Sequence, residues 1–198
     1  MQEMQNAKKN PWEIEIPELN FVKNNQIYIY GYFDDTIMTK VIPEFQDLIS
    51  KQSEVKNGEI KININSNGGY IYILKNMLSL VESAKVLDIT VSTTCFSDAF
   101  SCASILAASG SVGSRTVGEF TSHLLHLGAT HLTAHTDKQL EREVDMSKRH
   151  FDFIRTMYKR YAKVKNLERA IKDDRYFITG KDIIENGLAD NIVYLKRR

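Results

Sequence analysis

Hydrophobic and polar positions alternate most regularly in EIKININ, where Ile60, Ile62 and Ile64 interleave with Lys61, Asn63 and Asn65. A period of two predicts a strand with one buried and one polar face. The run QIYIYGYF from Gln26 predicts a second strand. Between them Ile37, Val41, Phe45, Leu48 and Ile49 recur at helical spacing, with Asp34 and Asp35 available to cap the start. Pro43 weighs against an unbroken helix there, because an interior proline removes a hydrogen bond. SNGG then reads as a tight turn, followed by Tyr72, Leu74, Met77, Leu78 and Val81 on one face of an amphipathic helix.

The pattern recurs further on. LDITVSTTC from Leu87 is β-rich, the small and apolar run Ser101 to Ser109 predicts a short helix closed by Gly110, and SHLLHLG is strand-like. From Asp137 to about Lys163, Leu140, Val144, Phe151, Ile154, Tyr158 and Tyr161 mark one face of a long helix whose other faces are charged, so it is expected to project from the core. Thr179 is the expected cap of a short helix that runs through Glu185 and stops at Asn186 and Gly187, ahead of the strand NIVYL. Strands alternating with helices predict an α/β fold. Residues 21–198 read as one domain behind an arm or tail, residues 1–20, with little periodicity.

Composition narrows the function. Of 198 residues 42% are hydrophobic, enough for a substantial core, and 26 Lys and Arg against 25 Asp and Glu leave a formal charge of +1. That balance gives no electrostatic footprint for nucleic acid or an anionic membrane. No apolar run is long enough to span a bilayer, and the two cysteines, Cys95 and Cys102, read as free thiols of a cytoplasmic protein. Neither forms a zinc-like spacing with His123, His126, His131, His135 or His150, so no metal and no cofactor is expected.

Acyl transfer requires a nucleophile, a base, a group that orients the base, and donors for the oxyanion. Ser101 lies at a strand-to-helix transition, where free backbone N–H groups favour negative charge, although a serine there is more commonly a helix cap. The glycine pair in INSNGG permits either a tight turn or a close backbone approach. His126 in SHLLHLG is either a core histidine or a base.

Taken in order, INSNGG, FSDAFSCASILAASGSVGSR, the histidine of HLLHLG and GKDIIENGLADNIV resemble the Clp proteolytic-subunit family from about Asn25 to Val193. The resemblance implies a spiral of β-β-α units with a projecting handle helix, about residues 137–163. It implies a serine endopeptidase that cleaves unfolded substrates inside an oligomeric chamber of stacked heptameric rings, fed by an AAA+ ATPase partner. Carried onto this chain, it makes Ser101 the nucleophile and His126 the base, with the backbone N–H groups of Gly69 and Cys102 as oxyanion donors. Asp174 becomes the third triad member, with Asp173 as the alternative through a different local turn. Asn67 and Cys102 depart from the proline and methionine usual in the family. A crotonase-like acyl-CoA enzyme, which shares the spiral, and an inactive scaffold subunit are the competing readings.

Overall fold

The computed structural model describes residues 22–128, 133–172 and 176–195. The chain opens with strands β1 (Val22–Lys23) and β2 (Gln26–Phe33), an antiparallel pair. Asp34 starts the following helix, since its carboxylate accepts the N–H of Thr36 at 2.9 Å. Pro43 does not break it. A π-helical turn, Ile37–Val41, sends the N–H of Ile42 to the carbonyl of Ile37, and Pro43, with no N–H to place, sits in the first turn of α1 (Ile42–Ser53).

Strand β3 (Glu59–Gly69) is the longest, and it leads into α2 (Ile71–Val86). Its Ile60, Ile62 and Ile64 are buried as their alternation requires, but SNGG continues the strand instead of forming a tight turn. The buried face of α2 is Ile73, Leu74, Met77, Leu78, Val81 and Ala84; Tyr72, expected on that face, points outward and hydrogen-bonds Asp35. Next come β4 (Thr90–Cys95), β5 (Asp98–Phe100) and α3 (Cys102–Ala108), every residue of which is buried. After them lie β6 (Arg115–Gly118), β7 (Ser122–Leu125) and the 25-residue α4 (Asp137–Tyr161).

The architecture is α/β: strands that cross between two layers of one curled sheet, each followed by a helix. One layer runs β1-β2-β3-β4-β6, parallel from β2 onward, and the second runs β3-β5-β7. Strand β3 serves both, pairing with β4 through Glu59–Asn63 and with β5 at Ser66. The β4–β5 and β6–β7 passages make the same crossing with a kink. Buried Thr121 holds both kinks, donating to the carbonyl of Cys95 at 2.7 Å and accepting the N–H of Gly118 at 3.0 Å. The repeating unit is thus a layer-crossing strand pair and a helix, a spiral of β-β-α units.

Helix α4 begins at a cap in which Thr136 accepts the N–H of Gln139, and its first half stands clear of the core, with Leu140 and Met146 exposed. Its buried residues, Ser147, Ile154 and Tyr158, lie from near its middle onward. The remaining elements are α5 (Leu167–Lys172), β8 (Tyr176–Thr179), α6 (Lys181–Glu185) and β9 (Asn191–Val193). Strand β8 closes the second layer antiparallel to β7, and β9 extends the first layer beside β6. Thr179 ends β8 and does not cap α6; Gly180 stands at the cap position. The helix stops as expected at Asn186 and Gly187. Gly187, at φ +66, gives its N–H to Ile184 and Leu188 gives its N–H to Ile183, a Schellman closure.

One buried ion pair gathers these ends. Arg115 donates from Nε and Nη2 to the two carboxylate oxygens of Asp190, at 2.9 and 2.6 Å. Its Nη1 faces the carbonyls of Ala108, Tyr161 and Gly187, the C-terminal ends of α3, α4 and α6. Burial works to raise the Asp190 pKa, but hydrogen bonds from the Arg115 side chain and backbone, the guanidinium charge and the N–H of Gly113 prevail and hold it below the usual carboxylate range. A depressed carboxylate adds stability that is complete above its unfolded pKa and fades as pH falls through its folded one.

Asp190→Asn should therefore cost about 3 kcal/mol at neutral pH, because it leaves a buried guanidinium without its counter-charge. For a chain of this size that is a fall of roughly 6–12 °C in unfolding midpoint. Thermal unfolding followed by circular dichroism at several pH values would check it: the gap between variant and wild type should narrow as the carboxylate of the wild type protonates.

Candidate functional site

The second sheet layer brings Ser101 and His126 to neighbouring strand ends. Strands β5 and β7 run parallel with Ala99 opposite His123 and Phe100 opposite Leu124, and the ladder closes with the N–H of Ser101 on the carbonyl of Leu124 at 2.8 Å. His126 follows Leu125, the last residue of β7, and is half-buried.

Ser101 holds φ +56 and ψ −124, a left-handed conformation that L residues rarely adopt. It precedes the first residue of α3 and makes no side-chain cap, which removes the bland reading of a capping serine. Its carbonyl instead accepts the N–H of Ser104 at 3.0 Å. A strained residue at a sharp strand-to-helix turn costs on the order of 1–3 kcal/mol and persists only where its surroundings over-determine it. Such a turn lifts a side chain clear of the backbone on both sides of it, the geometry of a nucleophile elbow.

The glycine pair explains how the turn is accommodated. A Cβ on Gly68, at φ +82, would stand 2.6 Å from the carbonyl oxygen of Phe100 and 2.9 Å from both the amide nitrogen of Cys102 and Cβ of Ser101. On Gly69 it would strike the backbone of Phe33 at 2.5 Å. The close approach these glycines permit is thus of neighbouring backbone: Gly68 lets the Ser101 turn nest against β3, and Gly69 lets β2 do so. The N–H of Gly68 is engaged by the Ser66 hydroxyl at 3.0 Å, while the carbonyl of Gly69 accepts from the Cys102 thiol at 3.3 Å. Cys102 is the first residue of α3, and the leading N–H groups of a helix have no carbonyl within it to satisfy.

The structure also contains a serine–histidine pair that the sequence did not single out. Ser104 Oγ and His123 Nδ1 lie 2.9 Å apart in a hydrogen bond, and both residues are 0% exposed. Burial pulls the pKa of His123 down to about 4, so its imidazole is neutral at physiological pH. No substrate can reach this pair, which makes it part of the core. His126 comes three positions after His123, an odd spacing that in an extended chain sets two side chains on opposite faces. That parity was the available signal.

Both thiols are silent as well. Burial raises Cys95 to about 12 and Cys102 to about 11, opposed only by weaker hydrogen bonds. A buried thiol with a raised pKa is neither nucleophile nor metal ligand. No group of three or more His, Cys, Asp or Glu able to hold a metal occurs among the described residues.

On the outer face of this layer Phe100, Leu124 and Phe177 stand in a row across β5, β7 and β8, with the two phenyl rings edge to face at 5.7 Å. Phe177 is exposed. His126 lies two residues beyond Leu124, past the end of β7, and its Nε2 is buried. Asp173 and Asp174 lie outside the described residues, as does the arm, residues 1–20. The described chain resumes at Tyr176, opposite Leu125.

A curled, layer-crossing α/β spiral with a strained serine at a helix start and a histidine on the adjoining strand defines the class of protein. A sequence model of the Clp protease family matches residues 14–196, and the chain belongs to that family. It is 26% identical over 177 residues to the ATP-dependent Clp protease proteolytic subunit of Carsonella ruddii (strain PV), covering 88% of this chain and 87% of the relative. It is 28% identical over 172 residues to the ATP-dependent Clp protease proteolytic subunit 4 of Rhodococcus jostii (strain RHA1), covering 86% and 85%. The activity is that of a peptidase, and the crotonase alternative is not favoured.

Cys95 and Cys102 are expected to resist iodoacetamide at pH 8 in the folded protein and to react at once in denaturant. Fast alkylation of either thiol under native conditions, read by mass spectrometry, would contradict the burial and raised pKa values described above.

Proposed function

We propose that the protein is a serine endopeptidase in which Ser101 attacks the scissile carbonyl, His126 takes its proton, and Asp174 orients the imidazole. The observation that carries this reading is the left-handed Ser101 at the start of α3, tied through its N–H to the strand that delivers His126. The backbone N–H groups of Cys102 and Gly69 are the proposed oxyanion donors. Cys102 stands at the helix N-terminus, where the helix dipole favours negative charge, and Gly69 already turns its carbonyl toward the Cys102 side chain. Departure from methionine at Cys102 does not weaken this, because the donor is main-chain.

The case for Asp174 rests on chain connectivity. Tyr176 lies opposite Leu125, next to His126, and two residues of chain span at most about 7 Å. A carboxylate two residues before Tyr176 is therefore tethered to the neighbourhood of the imidazole. Asp173 is the alternative, one residue further away.

The chain is further proposed to form one domain over residues 21–198 and to assemble into stacked homo-oligomeric rings. The exposed first half of α4, with Leu140 and Met146 open to solvent, is the surface that assembly would cover. Enclosure of the site would admit only unfolded polypeptide, supplied by an AAA+ ATPase. Compartment is proposed as cytoplasmic; no helix among the described residues is long and apolar enough to cross a membrane.

Ser101→Ala should lower turnover of a fluorogenic peptide by up to about a millionfold, with the fold intact by circular dichroism. His126→Ala should behave likewise, and persistent cleavage in Ser101→Ala would refute the assignment. Asp174→Asn should reduce turnover by about four orders of magnitude through the wrong imidazole tautomer, with Asp173→Asn near normal. The reverse pattern would move the role to Asp173. Light scattering tests the assembly, for which a fully active monomer is the refuting result.

A further inference from the structure

The outer face of the second layer carries two rows of side chains that differ in character. The row nearer the start of α3 is apolar: Phe100, Leu124 and Phe177, on β5, β7 and β8. One step further along the same face, in the same register, stand Asp98, Ser122 and Thr179. A sheet face covered by another layer is apolar along its whole length. Here the apolar surface is confined to the end next to Ser101, where Phe100 and Leu124 are half-buried and Phe177 is 54% exposed. The row is also one-sided. Ser66 on β3 pairs with Ala99, so the next residue, Asn67, takes the place beside Phe100 on the β3 side, and it is polar and exposed. Phe100 immediately precedes Ser101, and the carbonyl of Leu124 accepts the Ser101 N–H at 2.8 Å. Apolar surface thus begins at the proposed nucleophile and extends toward β7 and β8, away from the glycine pair of β3.

That direction has a chemical meaning. In serine hydrolysis the base gives its proton to the departing amine, so the amine side of the scissile bond lies beside the base. His126 follows the end of β7, one strand from Ser101 in the direction of β8, whereas Gly69 ends β3 on the other side of β5. The departing half of the substrate therefore passes over β7 and β8. Neighbouring strands lie about 4.8 Å apart and an extended chain advances about 3.3 Å per residue, so the row underlies its first three residues. We propose that Phe100, Leu124 and Phe177 form a subsite for the leaving side of the substrate, selecting bulky apolar side chains within three residues after the scissile bond. This rests on the reading of Ser101 and His126 given above. Phe177 has the most surface to offer, since its ring stands edge to face on Phe100 at 5.7 Å and still leaves half of the residue open. Covering that surface with an apolar side chain removes both from water.

The test uses the full-length protein and internally quenched peptides that share one acyl side and carry leucine, serine or lysine at the second and third residues after the scissile bond. Mass spectrometry confirms the position of the cut. Small apolar differences in a binding pocket change kcat/KM by roughly 10–200-fold, and an open ledge falls at the low end. Wild type should therefore cleave the leucine peptide with kcat/KM at least about tenfold above that of the serine peptide. Phe177→Ser should bring this ratio below about threefold, because the apolar surface is gone. Phe177→Glu should reverse the order of the leucine and lysine peptides, a gain that loss of structure cannot produce. Val112→Glu adds the same charge at an exposed residue between α3 and β6 and should keep the wild-type ratios.

A wild-type ratio near one overturns the proposal, and so do wild-type ratios in both Phe177 variants. An equal shift in Val112→Glu overturns it as well, since the preference would then follow net charge. Light scattering covers the other occupant of the row: assembly lost in Phe177→Glu with selectivity kept gives the row to a second copy and rejects the subsite. If Phe177→Glu does not fold by circular dichroism, Phe177→Ser decides alone. Ser101→Ala separates the two levels. Should it still cleave, the underlying assignment is wrong, whereas an inactive Ser101→Ala beside an unselective wild type rejects the subsite only.

Discussion

The Arg115–Asp190 pair is the constraint on which the rest of the molecule hangs. A single guanidinium meets the carbonyl ends of α3, α4 and α6, while its carboxylate partner also accepts the N–H groups of Gly113 and Arg115. Three helices thus end on one positive charge, which complements the partial negative charge at each C-terminus. Their other ends carry different duties. Helix α3 starts at Ser101, α4 projects from the body, and α6 leads to β9 at the edge of the first layer. Arg115 itself opens β6, whose kinked continuation is β7. The pair therefore reaches, within one or two elements, everything that carries the site.

Anchoring of this kind matters because the serine turn is unfavourable by itself. Its positive φ has to be supported by the ladder bond to Leu124, by α3 bonding back to the carbonyl of Ser101, and by Gly68 yielding the space in which the turn nests. Each support comes from a different element: β7, α3 and β3. A helix anchored only at its exposed end could relax the strain by shifting along its axis. Here α3 is buried throughout and pinned at Ala108, so the strain remains at Ser101.

Much of this was legible in the residues, in proportion to how local the determining physics is. The alternation of Ile60, Ile62 and Ile64 gave β3 its buried face, and Asn186-Gly187 gave the end of α6. Short strands β5, β6 and β8 carry three or four residues each and were not recognised, since their boundaries depend on pairing across the sheet and not on periodicity. SNGG looked like a turn because its glycines are usually found in one. Its extended conformation is set by Phe33 and Phe100 passing close by, neighbours 31 or more positions away that no local pattern reveals. The Thr179 cap failed for a similar reason: that residue is committed to the β7–β8 ladder opposite Ser122. The Arg115–Asp190 pair joins residues 75 positions apart, so it too lay beyond local reading, although the helix ends that it serves did not.

The choice among histidines shows what strand geometry adds once the fold is known. His123, Leu124, Leu125 and His126 offer two imidazoles around an apolar pair, and composition treats them alike. In β7 the alternation sends His123 and Leu125 into the core and turns Leu124 outward. His126 follows directly after Leu125, past the end of the strand. Burial then settles what His123 can do, since an imidazole whose pKa is pulled to about 4 cannot hold a proton at neutral pH while a nucleophile forms. The same burial that disqualifies His123 as a base suits it to fixed hydrogen bonding, because a ring that stays neutral keeps one tautomer and one geometry over the physiological range. Two histidines three residues apart thus differ in setting: His123 is wholly buried on the core face of a four-residue strand, and His126 follows the end of that strand, half-buried.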